Sequence, residues 1–401
     1  MKTYVIVIFI NIYSCFIFSQ TRLDVDGLYN YNDGYALVSK SKNAWLIDTV
    51  GNALRGPGFG FIPDKASIIY KEGVICIYND EGGKYFDVKG RSITKTSQGF
   101  ILPFKEGIGV YQSNLKILTN GELKQNGISL PDTIIKAHSA ADGYEKTIRF
   151  INSNGEELFA KTIITWPGYG NQKPTNGFHN GYCILEVSVY IEGTIDMGYK
   201  YCILNKRGEQ TGEFLCDSHG EFSEGLCAVK KGEKWGFVDT TGRLVIDCGL
   251  TYRPGDFLDE MAAFKGENAL FGYIDTRGEV VINPQYAEAY PFHNGLAIIQ
   301  MPYERTNMDY TYGYCAIDKD AKVVYRYGKE YVESDISDRL IIIKKNNMKG
   351  FMDIKGNIVI FPEFDELRPF NSGRAYALKK SKYGDTEGYI DGSGEFVIVK
   401  E

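Results

Sequence analysis

Short apolar strands and polar corners alternate along almost the whole chain. Near its middle the pattern reads Trp235-Gly236-Phe237-Val238-Asp239, two polar residues, Gly242, then Arg243-Leu244-Val245-Ile246. A strand-forming run ending in Asp, a turn closed by Gly and a second such run predict a β-hairpin. The mark occurs at Asp48…Gly51, Asp87…Gly90, Asp239…Gly242, Asp275…Gly278, Asp353…Gly356 and Asp391…Gly394. Asn replaces Asp at Asn152…Gly155 and Asn205…Gly208, and Leu118…Gly121 and Asp318…Ala321 read as degenerate copies. These ten marks are spaced by about 38 residues on average between Asp48 and Asp391.

A second mark keeps phase with the first: an aromatic, two polar residues, then Gly. It stands at Tyr31…Gly34, Tyr70…Gly73, Phe104…Gly107, Phe178…Gly181, Phe222…Gly225, Phe292…Gly295 and Phe370…Gly373, with Phe257…Glu260 as a variant. Both marks have structural chemistry. Asp or Asn at the start of a turn accepts hydrogen bonds from backbone N–H groups further on. Gly supplies the positive φ of a type I turn with a bulge. Segments such as Asn283-Pro284-Gln285-Tyr286 are read as turning the chain back.

The expected fold is all-β: about ten tandem antiparallel meander repeats, each of three or four strands. A single unit cannot bury its apolar face, so stacking must supply the core. The unit length suits a propeller blade of roughly 40–45 residues; an open β-solenoid array is the alternative. Ten units exceed the usual four to eight blades of one ring. The last unit ends in its own outer strand, Phe396–Val399, and the first begins near Leu28, so no strand exchange between the termini is expected. The longest interval, Asn152 to Asn205, suggests a soft division into divergent units at 21–160, a loop or linker at 161–177 and better-formed units at 178–401.

Lys234-Trp235-Gly236-Phe237-Val238-Asp239 followed by Gly242 resembles the core of the bacterial WG repeat. So does Phe271-Gly272-Tyr273-Ile274-Asp275 with Gly278, its Asn283-Pro284-Gln285-Tyr286 tail and the following Phe292…Gly295. Gly350-Phe351-Met352-Asp353 and Gly388-Tyr389-Ile390-Asp391 match as well, while residues 31–208 match loosely. The resemblance implies an all-β, often exported protein and brings no assigned activity.

The N-terminus changes the picture. Met1-Lys2-Thr3 precedes an apolar run from Tyr4 to Phe18, the form of a signal peptide and short for a membrane span of about twenty residues. Cleavage is expected after Ser19; a lipid anchor at Cys15 is disfavoured because Tyr13 is not small and the run stays apolar after it. With no later apolar segment of spanning length, the mature chain is expected at the periplasm, the cell surface or outside the cell. Its net charge of −6 argues against nucleic acid, whose partners carry basic surfaces. The other seven cysteines show no CxxC spacing and read mainly as buried thiols, with one or two disulfides possible within 183–248.

No convincing catalytic set emerges, and no metal or cofactor is expected. His179 and His293 share one repeat position, His138 and His219 are isolated, and the recurrent Asp residues already serve turns. Binding is placed on three lengthened loops, Val189–Gly198, Met301–Tyr312 and Ser381–Glu387, which carry Tyr190, Tyr303, Arg305, Tyr310, Tyr312 and Tyr383. Tyr and Arg are favoured contact residues. A second candidate is the turn-rich loop with Trp166 and Tyr169, able to stack on a sugar. The expected function is a non-enzymatic binding or scaffolding module for a glycan or protein. A propeller-type hydrolase or lyase is the main competitor; its carboxylates would come from positions such as Glu186, Asp196 and Asp309. A structural subunit of an envelope assembly is the third reading.

Overall fold

Nine of the ten corner marks are tight turns of one geometry. At Asp239 the backbone N–H donates to the carbonyl of Arg243 at 2.9 Å, and Gly242 N–H donates to the Asp239 carbonyl at 2.9 Å. The Asp239 carboxylate accepts the N–H groups of Thr241 (2.9 Å) and Arg243 (3.1 Å). The same pairings recur at Asp48, Asp87, Asn152, Asn205, Asp275, Asp318, Asp353 and Asp391. Even the degenerate copy holds, with Ala321 at φ 62° where the others place Gly.

The tenth mark fails. The strand Ile108–Leu118 runs through Leu118, which pairs with Gly143 on the strand Gly143–Ile151. Residues 101–165 therefore form one sheet where two units were expected. The computed structural model describes residues 21–41, 43–54, 67–79, 82–94, 100–118, 143–165, 174–190, 197–302, 313–327, 331–332 and 340–401. The signal-peptide and Cys15 readings lie outside them.

Nine antiparallel sheets follow one another along the described chain, at 27–48, 67–87, 101–165, 174–214, 218–250, 261–286, 288–326, 331–364 and 366–400. They form a β-propeller of nine blades. First strands of neighbouring blades approach one another, which puts them at the centre. The segment expected as a linker is partly strand, since Glu157–Thr165 and Pro174–His179 extend into it.

The ring is latched, contrary to expectation. Thr21–Leu23 adds in parallel outside the final strand, with Thr21 opposite Ile398 and Leu23 opposite Lys400. The last unit does keep its own outer strand, Phe396–Lys400. Three residues near the terminus were too short a signal to read as a strand.

The aromatic of the second mark fills the seam between blades. Tyr31, Phe104, Phe178, Phe222, Phe257, Phe292 and Phe370 are all almost wholly buried. Five of them meet, edge-on or tilted, an aromatic on the third strand of the preceding blade: Phe104 with Tyr85, Phe178 with Phe150, Phe257 with Phe237, Phe292 with Tyr273, Phe370 with Phe351. Such pairs contribute roughly 0.5–1.5 kcal/mol beyond area burial. After each aromatic comes a two-residue type I′ turn, with Asp33 at φ 48° and Gly34 at φ 82°, the twist that suits a hairpin.

These inner turns hydrogen-bond around the ring. In six of them the side chain accepts a backbone N–H from the next: Asp33 from Glu72 (2.8 Å), Glu72 from Glu106 (2.8 Å), Glu106 from Gly181 (2.8 Å), Glu224 from Glu260 (2.7 Å), Asp259 from Gly295 (2.6 Å) and Ser372 from Gly34 (3.0 Å).

The Gly of Trp-Gly has a separate cause. Opposite Gly236 the fourth strand carries two extra residues: Trp235 pairs with Leu250 while Phe237 pairs with Ile246. A Cβ on Gly236 would lie 2.4 Å from the Ile246 carbonyl oxygen. Gly272 and Gly350 face the same bulge, with gaps of 2.3 and 2.4 Å. The Asn283–Tyr286 segment is this bulge, within the continuous strand Val280–Tyr286, and does not turn the chain back.

Candidate functional site: a charged cavity on blades four to six

The repeat breaks at the position before the seam aromatic in blades five and six. Along a strand, side chains alternate between faces, so the residues flanking the seam aromatic turn away from the seam. Other blades place Asn30, Ile69, Pro103, Pro291 or Pro369 before it. Here Glu221 precedes Phe222 and Asp256 precedes Phe257. The strand Ser218–Ser223 carries the bulge seen in other first strands: His219 pairs with Val229 while Phe222 pairs with Cys227, as Leu28 pairs with Val38 while Tyr31 pairs with Ala36. A bulge of this kind re-aims side chains.

Glu221 is charge-balanced by earlier blades. Lys105 Nζ stands 3.3 Å from both its oxygens and His179 Nε2 stands 2.9 Å from one. The other His179 nitrogen faces the Phe222 carbonyl at 2.8 Å.

Glu221, Asp256, Arg253, His219, Asp217 and Tyr201 surround a cavity of about 510 Å³, with Ser218 and Gly220 completing its wall. The cavity lies toward the blade-to-blade crossovers, because Asp217 and Arg253 precede first strands. His219 Nδ1 donates to the Gly220 carbonyl at 2.7 Å, and its ring meets Tyr201 edge-on at 4.6 Å. Burial lowers the His219 pKa, which keeps the ring neutral near pH 7. Burial raises the Asp256 carboxyl; Arg253 opposes this, Glu221 adds to it and His179 opposes it. Asp217 is occupied, accepting the Gly232 N–H at 2.6 Å. Arg253 lies 5.8 Å from the Trp235 ring centre.

The sequence-based site residues fare differently. The strands that flank the three long loops are the second and third of their blades, and their facing ends lie on one side of the ring. Tyr383 is 87% exposed, with Lys382 Nζ 4.7 Å from its ring centre. Tyr190 ends the strand Tyr182–Tyr190, and its side chain lies outside the description. Tyr303, Arg305, Tyr310, Tyr312, Trp166 and Tyr169 lie outside the described residues, as do Asp196 and Asp309. Glu186, on the same strand as Tyr190, does not line the cavity. The carboxylates that do converge are Glu221 and Asp256, which sequence reasoning missed. Their signal was available: each breaks the repeat at the position before the aromatic.

The seven described cysteines are unpaired, and five are buried. Burial pushes the Cys183 and Cys216 thiols up to about 12, which makes them poor nucleophiles.

The model of the WG containing repeat matches residues 204–235, 235–265, 271–301 and 350–383. The chain carries WG repeats. Each matched segment runs from the third strand of one blade into the second strand of the next. A WG repeat is therefore not a blade; it is the seam between two, and in 235–265, 271–301 and 350–383 it contains both aromatics of the seam pair. Among solved structures, a eukaryotic initiation factor aligns over 90% of this chain and 95% of its own at 10% identity, TM-score 0.50. Apo AztD from Citrobacter koseri aligns over 88% and 89% at 11% identity, TM-score 0.32. An acylaminoacyl peptidase from Pyrococcus horikoshii aligns over 91% and 57% at 11% identity, TM-score 0.32. At such identities the likeness is one of fold alone. No curated protein matches the WG-repeat chain by sequence.

Proposed function

We propose that this WG-repeat protein is an exported, non-enzymatic binding module whose ligand, a glycan or a protein group, enters the cavity on blades four to six. One observation carries the reading: two departures from the repeat, Glu221 and Asp256, converge with Arg253 on the same cavity. Repetition fixes the scaffold, and a local break in it marks the place where binding side chains replace structural ones. The volume falls within the usual range for ligand sites, roughly 300–1,000 Å³. The signal-like residues 1–19 support export.

The test is a glycan array and a peptide array probed with the mature ring and with Arg253→Ala/Asp256→Asn. Signals lost in the double variant support the cavity. Signals that persist there and vanish in Tyr383→Ala move binding to the long loops. Silence of the unmodified ring on both arrays rejects a glycan or a protein group as the ligand.

A hydrolase is the second reading, favoured by the raised carboxyl of Asp256 beside Glu221, since unlike carboxylates divide acid and base roles. It predicts turnover of p-nitrophenyl glycosides that Asp256→Asn abolishes.

A further inference from the structure

Most charges around the cavity are already spoken for. Glu221 is held by Lys105 and His179, and Asp217 by the Gly232 N–H. Arg253 and Asp256 are different. Among the described residues neither makes a hydrogen bond or an ion pair; they feel each other only through space. Their positions can be bounded at Gly220. A Cβ built there would lie 3.4 Å from Arg253 Nη2 and 3.6 Å from Asp256 Oδ1. The two atoms are therefore at most about 7 Å apart, the two legs laid end to end, and further apart than an ion pair. One cation and one anion thus face a shared space, too distant to satisfy each other.

Gly220 keeps that space open. Its φ is not in the left-handed region, so no backbone constraint demands glycine there. The nearest atoms to a Cβ would be at ordinary contact distance. What a larger side chain would do is fill the gap between the guanidinium and the carboxylate.

We propose that the cavity binds a small zwitterion, a free α-amino acid, with Arg253 receiving its carboxylate and Asp256 its ammonium group. The proposal rests on the cavity being the binding site and adds the ligand's charge pattern. A guanidinium pairs with a carboxylate through parallel N–H donors, and the Trp235 ring beside it limits the directions in which it can point. The Asp256 carboxylate takes the three donors of an ammonium. His219 Nε2 and the Ser218 hydroxyl remain for a polar ligand side chain. A neutral sugar would leave both charges unpaired, and a singly charged ligand would leave one.

The experiment is a thermal-shift screen of the mature ring against the twenty L-amino acids. Titration calorimetry follows for the strongest, for its methyl ester and N-acetyl forms, and for glucose and N-acetylglucosamine. The expected result is that an amino acid binds and that masking either charge weakens it at least tenfold. Arg253→Gln binds the acid and its ester alike; Asp256→Asn binds the amine and its N-acetyl form alike. Gly220→Val abolishes binding, and circular dichroism verifies that each variant is folded. Should Gly220→Val not fold, the two charge variants carry the test, since both side chains are exposed. If a neutral sugar binds instead and Gly220→Val or the charge variants remove it, the cavity is right and the zwitterion is wrong. If no amino acid binds, the zwitterion falls. If an amino acid binds and all three variants leave it unchanged, the cavity and the zwitterion fall together.

Discussion

The rings of Tyr31 and Tyr389 meet edge to face, with centroids 4.8 Å apart and planes at 76°. They are the seam pair of blades nine and one, and they come from opposite ends of the chain. Every other such pair lies within a continuous stretch of sequence; this one requires the ring to close. The Tyr389 hydroxyl donates to the Tyr29 carbonyl, as Tyr273 does to Tyr290 at 2.7 Å. Val25, Leu28, Tyr376 and Ile398 pack in the same cluster.

Tyr31→Ala and Tyr389→Ala are each expected to cost about 3 kcal/mol in urea unfolding. The double variant should reveal a coupling of about 1 kcal/mol. Tyr389→Phe removes only the hydroxyl bond and should cost about 1 kcal/mol.

The glycines divide into two kinds with different costs. Gly34 sits at φ 82° with open space around it. Its replacement by Ala meets only the left-handed penalty, about 1 kcal/mol. Gly272 meets the Ile282 carbonyl oxygen at 2.3 Å from a built Cβ, and that neighbour is backbone. Gly272→Ala should cost about 3 kcal/mol. Thermal unfolding of the two variants side by side checks the order.

The corner turns predict a compensating exchange. Where the corner is Asn205, its Nδ2 donates to Glu209 four residues on (2.7 Å); where it is Asp87, Arg91 Nε donates to it (2.6 Å). Asp87→Asn sets two donors against each other and should cost about 0.5 kcal/mol, as suits an exposed pair. Adding Arg91→Glu recreates the Asn205 arrangement and should restore the loss, read in denaturant midpoints.

The same corners set an acid limit. Burial pushes the carboxyls of Asp48, Asp87, Asp239, Asp275, Asp353 and Asp391 up, and the hydrogen bonds of each turn outweigh it, leaving all six below the usual value. Groups with depressed folded pKa values add stability that is complete above the unfolded carboxylate pKa and is lost as pH falls through the folded values. Stability should therefore be flat from pH 7 to about 5 with respect to these groups and decline below about 4. A pH series of melting temperatures checks it.

Leu118 opposite Gly143 leaves the two strands aligned for a direct hairpin. Replacing residues 119–142 by Asn-Gly, the preferred type I′ pair, should yield a folded nine-bladed ring. A tenth structural unit at Leu118–Gly121 would instead make the shortened chain fail to fold, as circular dichroism and gel filtration would reveal.

The hairpins were legible because their causes are local. An Asp that accepts its own turn's N–H groups and a Gly at positive φ act within five residues, so Asp48, Asp87 and Asp239 could be placed from spacing alone. Leu118…Gly121 misled because spacing was matched without the Asp that makes the turn. The Trp-Gly glycine was legible as a mark, but its cause, the bulged strand crossing over it, lies some ten residues away. The site was least legible: Glu221 and Asp256 are ordinary carboxylates until three blades bring Lys105, His179 and Arg253 around them.

The chain's order of residues determined the all-β class, the turn chemistry and the unit that repeats, since each follows from backbone geometry over a few positions. Closure into nine blades, the parallel Thr21–Leu23 latch and the charged cavity were decided by tertiary structure. Those depend on how much each blade rotates against the next, a small angle summed around the ring, and no single repeat contains that sum.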